Sequence, residues 1–163
     1  MHLKIFVLFL LLLFTTTIHY GQSKKDLRKN KVKLISEYIE ENESGNKVSY
    51  KSSDEKINAN GDIIESIAYN KDGSVKKKTL YAYNANNDVK EETVYSGSGK
   101  LMEKTTFSYN ARGEKTIETI TDENGKVIKK TQFEYDAGGF RSERKSYDGN
   151  GKLVSVKKYT YKK

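Results

Sequence analysis

From residue 58 onward, apolar and polar positions alternate in short runs, and the runs return at fixed distances. A four-residue segment, in most cases Asx-x-x-Gly, separates each run from the next, as in YNKDGS and FEYDAGG. Eight such segments end at Gly61, Gly73, Asn87, Gly99, Gly113, Gly125, Gly139 and Gly151, at intervals of 12, 14, 12, 14, 12, 14 and 12 residues. The repeating unit therefore has 26 residues. Four copies fill residues 58–161: NANGDIIESIAYNKDGSVKKKTLYAY, NANNDVKEETVYSGSGKLMEKTTFSY, NARGEKTIETITDENGKVIKKTQFEY and DAGGFRSERKSYDGNGKLVSVKKYTY. A fixed period of this size marks an array in which each unit buries its apolar surface on its neighbours.

The separators read as hairpin turns. In YNKDGS, Asn70 accepts hydrogen bonds from the turn backbone and Gly73 supplies a left-handed residue. That is a type I turn followed by a glycine bulge, a common β-hairpin connection. Asn87 replaces glycine in the third turn, and Asn is the side chain that best tolerates that conformation. The remaining lengths give strands of about 8 and 10 residues, both even, so the facing of side chains carries over from unit to unit.

In the longer strand, one parity holds Val75, Leu101, Val127 and Leu153; then Thr79, Thr105 and Thr131; then Tyr81, Phe107, Phe133 and Tyr159; then Tyr83, Tyr109, Tyr135 and Tyr161. The other parity is rich in Lys, Ser and Glu. This predicts half-buried strands in an all-β antiparallel meander of repeated hairpins, a curled open or solenoid-like sheet of about eight to ten strands. A closed soluble up-and-down barrel is the structural alternative. Residues 32–57 have the unit's length but place Gly45 two positions early, so they read as a degenerate capping unit. Within them, KLISEYIEE fits either a strand or a short helix. Residues 22–31 read as a basic, flexible arm.

The chain opens with one lysine and ten uninterrupted apolar residues, Ile5–Phe14, followed by small and polar ones. Residues 1–21 are thus expected to be a secretory signal peptide cleaved near Gly21 or Gln22, since ten apolar residues fall short of the ~20 that span a bilayer. No cysteine is present for a lipoprotein anchor. The expected location is secreted or periplasmic, with no transmembrane segment in the mature chain. Loss of Lys4 would lower the formal net charge from +8 to +7.

Both histidines, His2 and His19, fall in the expected leader, and the chain has no Cys, Pro or Trp. Imidazole and thiolate chemistry is thereby removed, along with the usual zinc ligands and disulfides. A paired-carboxylate glycosidase is the remaining catalytic option, with Glu65, Glu91 and Glu143 in one column; acids that recur once per unit read more simply as a solvated face. The oxygen-rich DENG and DGNG lack the acid spacing of a calcium loop and serve as plain turns, so neither metal nor cofactor is expected.

The phrases FEYDAGG, SYDGNGKL, FSYNARG and YAYNANN resemble the Tyr-Asp repeat family, also called rearrangement-hotspot repeats, over residues 58–161. The resemblance implies an extracytoplasmic β-strand array, a small secreted bacterial member of that class. The large members' enclosing shell does not carry over to an array this short. The aromatic rows Tyr81, Phe107, Phe133, Tyr159 and Tyr83, Tyr109, Tyr135, Tyr161 would form ladders. Packing is their main expected role, and a carbohydrate- or peptide-binding face is the functional one. Thirty basic residues interleaved with 22 acids protect strand edges, and export argues against a nucleic-acid partner. The function expected is a non-enzymatic exported repeat scaffold that binds a protein or an envelope polysaccharide; a tyrosine-ladder carbohydrate-binding module is the alternative and a glycosidase the second alternative.

Overall fold

A computed structural model describes residues 23–162, so the expected leader lies outside the described residues. The chain forms one short helix, α1 (Lys24–Lys29), and ten strands: β1 (Leu34–Glu43), β2 (Asn46–Ile57), β3 (Ile63–Tyr69), β4 (Val75–Tyr83), β5 (Val89–Ser96), β6 (Leu101–Tyr109), β7 (Lys115–Asp122), β8 (Val127–Tyr135), β9 (Arg141–Asp148) and β10 (Leu153–Lys158). The strands pair antiparallel in chain order, β1 to β10, as one meander sheet. It is the open, curled form, with β1 and β10 at free edges rather than paired into a barrel. KLISEYIEE is strand, in β1.

The eight turns share one geometry. The amide of each fourth residue donates to the carbonyl of the first, as Gly73 to Asn70 at 2.9 Å, and the first amide donates to the carbonyl after the turn, as Asn70 to Ser74 at 2.9 Å. Asn87 takes a φ of +63° and Gly73 one of +81°. In seven of them the first side chain buttresses the turn, as Asp122 Oδ1 accepts from the amides of Asn124 and Lys126, both at 2.9 Å. In the Asn70 turn the expected acceptor is replaced by Asp72, whose Oδ1 accepts from the Ser74 amide at 2.9 Å, while Asn70 donates to the Ser74 hydroxyl. The β1–β2 connection differs. Ser44 and Gly45 both have positive φ and Glu43 pairs directly with Asn46, a two-residue hairpin, which accounts for the early glycine.

The registers reveal a second repeated device. After each of the eight turns one residue is left over in the pairing; Ala82 pairs with Glu91 and Tyr83 with Val89, so Lys90 is extra. Ile64, Lys76, Met102, Thr116, Ile128, Ser142 and Val154 are extra in the same way. Such bulges bend a strand and increase its twist, which curls the sheet alternately from its two ends. They also correct the simple parity. Val75, Leu101, Val127 and Leu153 precede a bulge and pair with Tyr69, Tyr95, Thr121 and Tyr147, so they lie on the face opposite Thr79, Tyr81 and their repeats.

Little is deeply buried. Leu27, Ile57 and Phe133 are the buried apolar residues among those described, with Thr79, Thr93, Thr105 and Thr131 along the middle of the sheet. Stability in such a layer comes from cross-strand neighbours more than from a closed core. The segment expected as a flexible arm is instead partly ordered. Ser23 accepts a hydrogen bond from the Asp26 amide and donates to its carboxylate, which closes the N-terminus of α1. Leu27 buries against the sheet corner, and Lys24 forms an ion pair with the buried Asp62. A Cβ on Gly61 would meet the Lys24 carbonyl at 2.5 Å, so glycine there serves the helix contact as well as the turn.

Candidate functional site

The face that carries Tyr81, Phe107 and Phe133 is built from two interleaved sets. Tyr81 pairs with Glu92, Phe107 with Glu118, and Phe133 with Arg144, so aromatic rings on even strands alternate with charged groups on odd ones. Nearer the turns, Tyr83 pairs with Val89, Tyr109 with Lys115, and Tyr135 with Arg141.

The second tyrosine row is anchored to the backbone. Tyr83 donates its hydroxyl to the Ile63 carbonyl at 2.6 Å, Tyr109 to Val89 at 2.7 Å, Tyr135 to Lys115 at 2.9 Å and Tyr161 to Arg141 at 3.0 Å. Every bond reaches back twenty residues, onto the preceding strand, and ties its unit across the turn. Burial pushes the Tyr83 hydroxyl up to about 12, so it stays a donor at any ordinary pH.

Two members of the first row, Phe107 and Phe133, are covered by charge. Lys115 Nζ lies 4.8 Å from the Phe107 centroid and 5.1 Å from that of Phe133. The guanidinium carbons of Arg141 and Arg144 stand 4.6 and 5.9 Å from the Phe133 centroid. Phe133 itself is only 7% exposed. Tyr81 and Phe107 are half-buried, and Tyr159, next to the last strand, is too. The two rows therefore come together as a packed, bonded layer, and their most open member is Tyr161, beside the ring of Phe140 at 5.0 Å.

The carboxylates sort by face. Glu65, Glu91 and Glu143 lie on the opposite face, each against a lysine: Glu65 with Lys56 at 2.6 Å and Lys78 at 2.8 Å, Glu91 with Lys104 at 3.2 Å, and Glu143 with Lys145 at 2.5 Å. Hydrogen bonds from Lys56 and Lys78 hold the Glu65 carboxyl below its ordinary value, the reverse of what a general acid needs. Glu92 behaves differently. Burial pushes its carboxyl up, and its column in the sequence, Ser66, Glu92, Glu118 and Arg144, keeps no constant acid that would mark it.

No family model matches the chain. No curated protein matches it either. Among solved structures, a Bacteroides fragilis protein of unknown function overlaps 80% of this chain and 96% of its own, with 15% identity and a TM-score of 0.41. A porin-like protein from Bacteroides uniformis overlaps 74% of this chain and 75% of its own, with 10% identity and a TM-score of 0.35. A structure of TarM overlaps 83% of this chain but only 24% of its own, with 19% identity and a TM-score of 0.31. At these scores the overlaps carry no functional information.

Among the described residues, no group of three or more His, Cys, Asp or Glu side chains is placed to hold a metal ion, and no helix is long and apolar enough to cross a membrane. Three buried side-chain polar atoms among the described residues lack a hydrogen-bond partner, Thr131 Oγ1, Arg141 Nε and Arg144 Nε, and all belong to β8 and β9.

Proposed function

We propose that the protein is a non-enzymatic exported repeat scaffold, of the Tyr-Asp repeat class, that binds a cell-envelope component or a protein partner. The observation that supports this reading is the tyrosine lock repeated every 26 residues, which spends the conspicuous aromatic hydroxyls on holding a rigid curved sheet. The acids best placed in a column, Glu65, Glu91 and Glu143, are engaged by lysines. Among the described residues, β1 and β10 each pair on one side only, so the single layer ends in two unpaired strand edges. A continuous sugar-stacking ladder is the weaker reading, because rings that stack on sugars need a free face and that of Phe133 is occupied.

Co-sedimentation of the purified protein with an isolated envelope fraction tests the proposal. Saturable binding is expected, with no release of reducing sugar from envelope polysaccharides. Hydrolysis that disappears in the Glu65→Gln, Glu91→Gln, Glu143→Gln triple variant would overturn it in favour of a glycosidase. Binding to a neutral glycan lost in Tyr109→Ala plus Tyr135→Ala, with the fold intact by circular dichroism, would instead favour the ladder.

A further inference from the structure

The fourth unit departs from the other three in a coordinated way. The residue after the turn glycine or asparagine is Asp62, Asp88 and Glu114 in the first three units and Phe140 in the fourth. The next position reads Ile63, Val89, Lys115 and then Arg141; three residues further it reads Ser66, Glu92, Glu118 and then Arg144. Carboxylates vanish at two positions, and two guanidiniums and an aromatic ring replace the earlier residues.

Residues three apart on a regular strand point to opposite faces. Here Ser142 is the extra residue of a bulge, so Arg141 pairs with Tyr135 and Arg144 with Phe133, and both arginines share the aromatic face. Both Nε atoms are buried without an acceptor. Lys115, the other cation over Phe133, has its counter-ion in Glu118 at 2.9 Å. Among the described residues neither arginine has a carboxylate within ion-pair distance, although twelve such pairs occur elsewhere. Next to them stand the exposed rings of Phe140 and Tyr161, 54% and 56% accessible and 5.0 Å apart. The turn that carries Phe140 is braced from the previous unit by Arg112, whose guanidinium donates to the Ala137 carbonyl at 3.3 Å.

Two neighbouring guanidiniums with no counter-ion repel one another, and a buried N–H without an acceptor costs free energy until one arrives. A carboxylate or phosphate offers paired oxygens that match the guanidinium fork, and the adjoining rings give an apolar wall for whatever carries it. We infer that the fourth unit binds an oxyanion, a carboxylate or phosphate group borne by an anionic polymer, at Arg141 and Arg144 beside Phe140 and Tyr161. This inference rests on the binding-scaffold reading and assigns that scaffold a site.

Titration of the full mature chain with polygalacturonate and with polyphosphate, at low and high salt, tests the site and separates the two sources of oxyanion. Saturable binding of at least one is expected, weakening with salt and falling roughly tenfold or more for each arginine lost in Arg141→Gln and Arg144→Gln. A control of equal charge change, Lys126→Gln plus Lys152→Gln at the far turns, should leave the site's affinity within about threefold, given weak coupling between separated exposed charges. Should the glutamine variants melt at assay temperature, Arg141→Lys plus Arg144→Lys decides: charge is kept, the fork is lost, and weaker binding is still expected. No binding of either polymer at low salt, or equal weakening in the control, would overturn the site. In that event, persistent envelope co-sedimentation would leave the scaffold proposal standing; conversely, arginine-dependent polymer binding without envelope binding would uphold the site and count against the envelope-binding scaffold.

Discussion

The hydroxyl of Tyr109 donates to the backbone carbonyl of Val89, 2.7 Å away on the neighbouring strand and twenty residues earlier in the chain. Tyr83, Tyr135 and Tyr161 repeat the same bond one unit apart. One aromatic side chain thus closes the base of each hairpin, at the end where a bulge has just interrupted the ladder. Removing the hydroxyl alone leaves the ring packing in place and strands a carbonyl. Tyr109→Phe and Tyr135→Phe should each lower the unfolding free energy by about 0.5–1.5 kcal/mol in urea titrations. Two variants with unchanged stability would show that the bonds are incidental.

The turn glycines should not be equal. Gly73 and Gly61 have nearly the same positive φ, +81° and +85°, but a Cβ on Gly73 meets open space and one on Gly61 meets the Lys24 carbonyl. Gly73→Ala should cost about 1 kcal/mol for the left-handed backbone alone. Gly61→Ala should cost more, because α1 must also shift. Deleting residues 22–31 should erase that difference, which urea titration of the four proteins reads directly.

Two glutamates should titrate in opposite senses. Glu65 has its folded value lowered by Lys56 and Lys78, so its stabilising contribution is complete above the unfolded carboxyl value and is lost as pH falls through the folded one. Glu92 has its folded value raised, chiefly by burial, so its contribution is complete below the unfolded value and is lost as pH rises through the folded one. At neutral pH, Glu65→Gln should therefore destabilise the protein and Glu92→Gln should stabilise it. Both differences should shrink toward pH 4, near the ordinary carboxyl value of 4.5, in melting curves taken across the range.

The period, the turn residues and the all-β meander were legible because hairpin turns use few residue types, and Asn, Asp and Gly announce them. The bulges were not. Lys76 and Lys90 look like ordinary strand residues, and parity counting carried Val75 and Leu101 to the wrong face. The helix α1 was written in the Ser23 and Asp26 spacing, but lysines on either side disguised a one-and-a-half-turn element as an arm. The tyrosine rows were found as ladders, whereas their backbone bonds depend on curvature that no alternation encodes. Phe140, Arg141 and Arg144 went unnoticed for another reason. A repeat makes legible what its units share, and these three residues differ from the rest of their columns.

A 26-residue hairpin pair, with its two turns, two bulges and one tyrosine lock, is the unit of this fold. Urea unfolding of two deletions tests it most directly. Removing residues 84–109 joins Tyr83 to Asn110 and should leave a cooperatively folding sheet of eight strands, less stable than the full chain. Removing residues 84–96, half a unit, joins the end of β4 to a turn of the opposite sheet end and should abolish cooperative unfolding. Equal behaviour of the two deletions, whether both fold or both fail, would contradict the account.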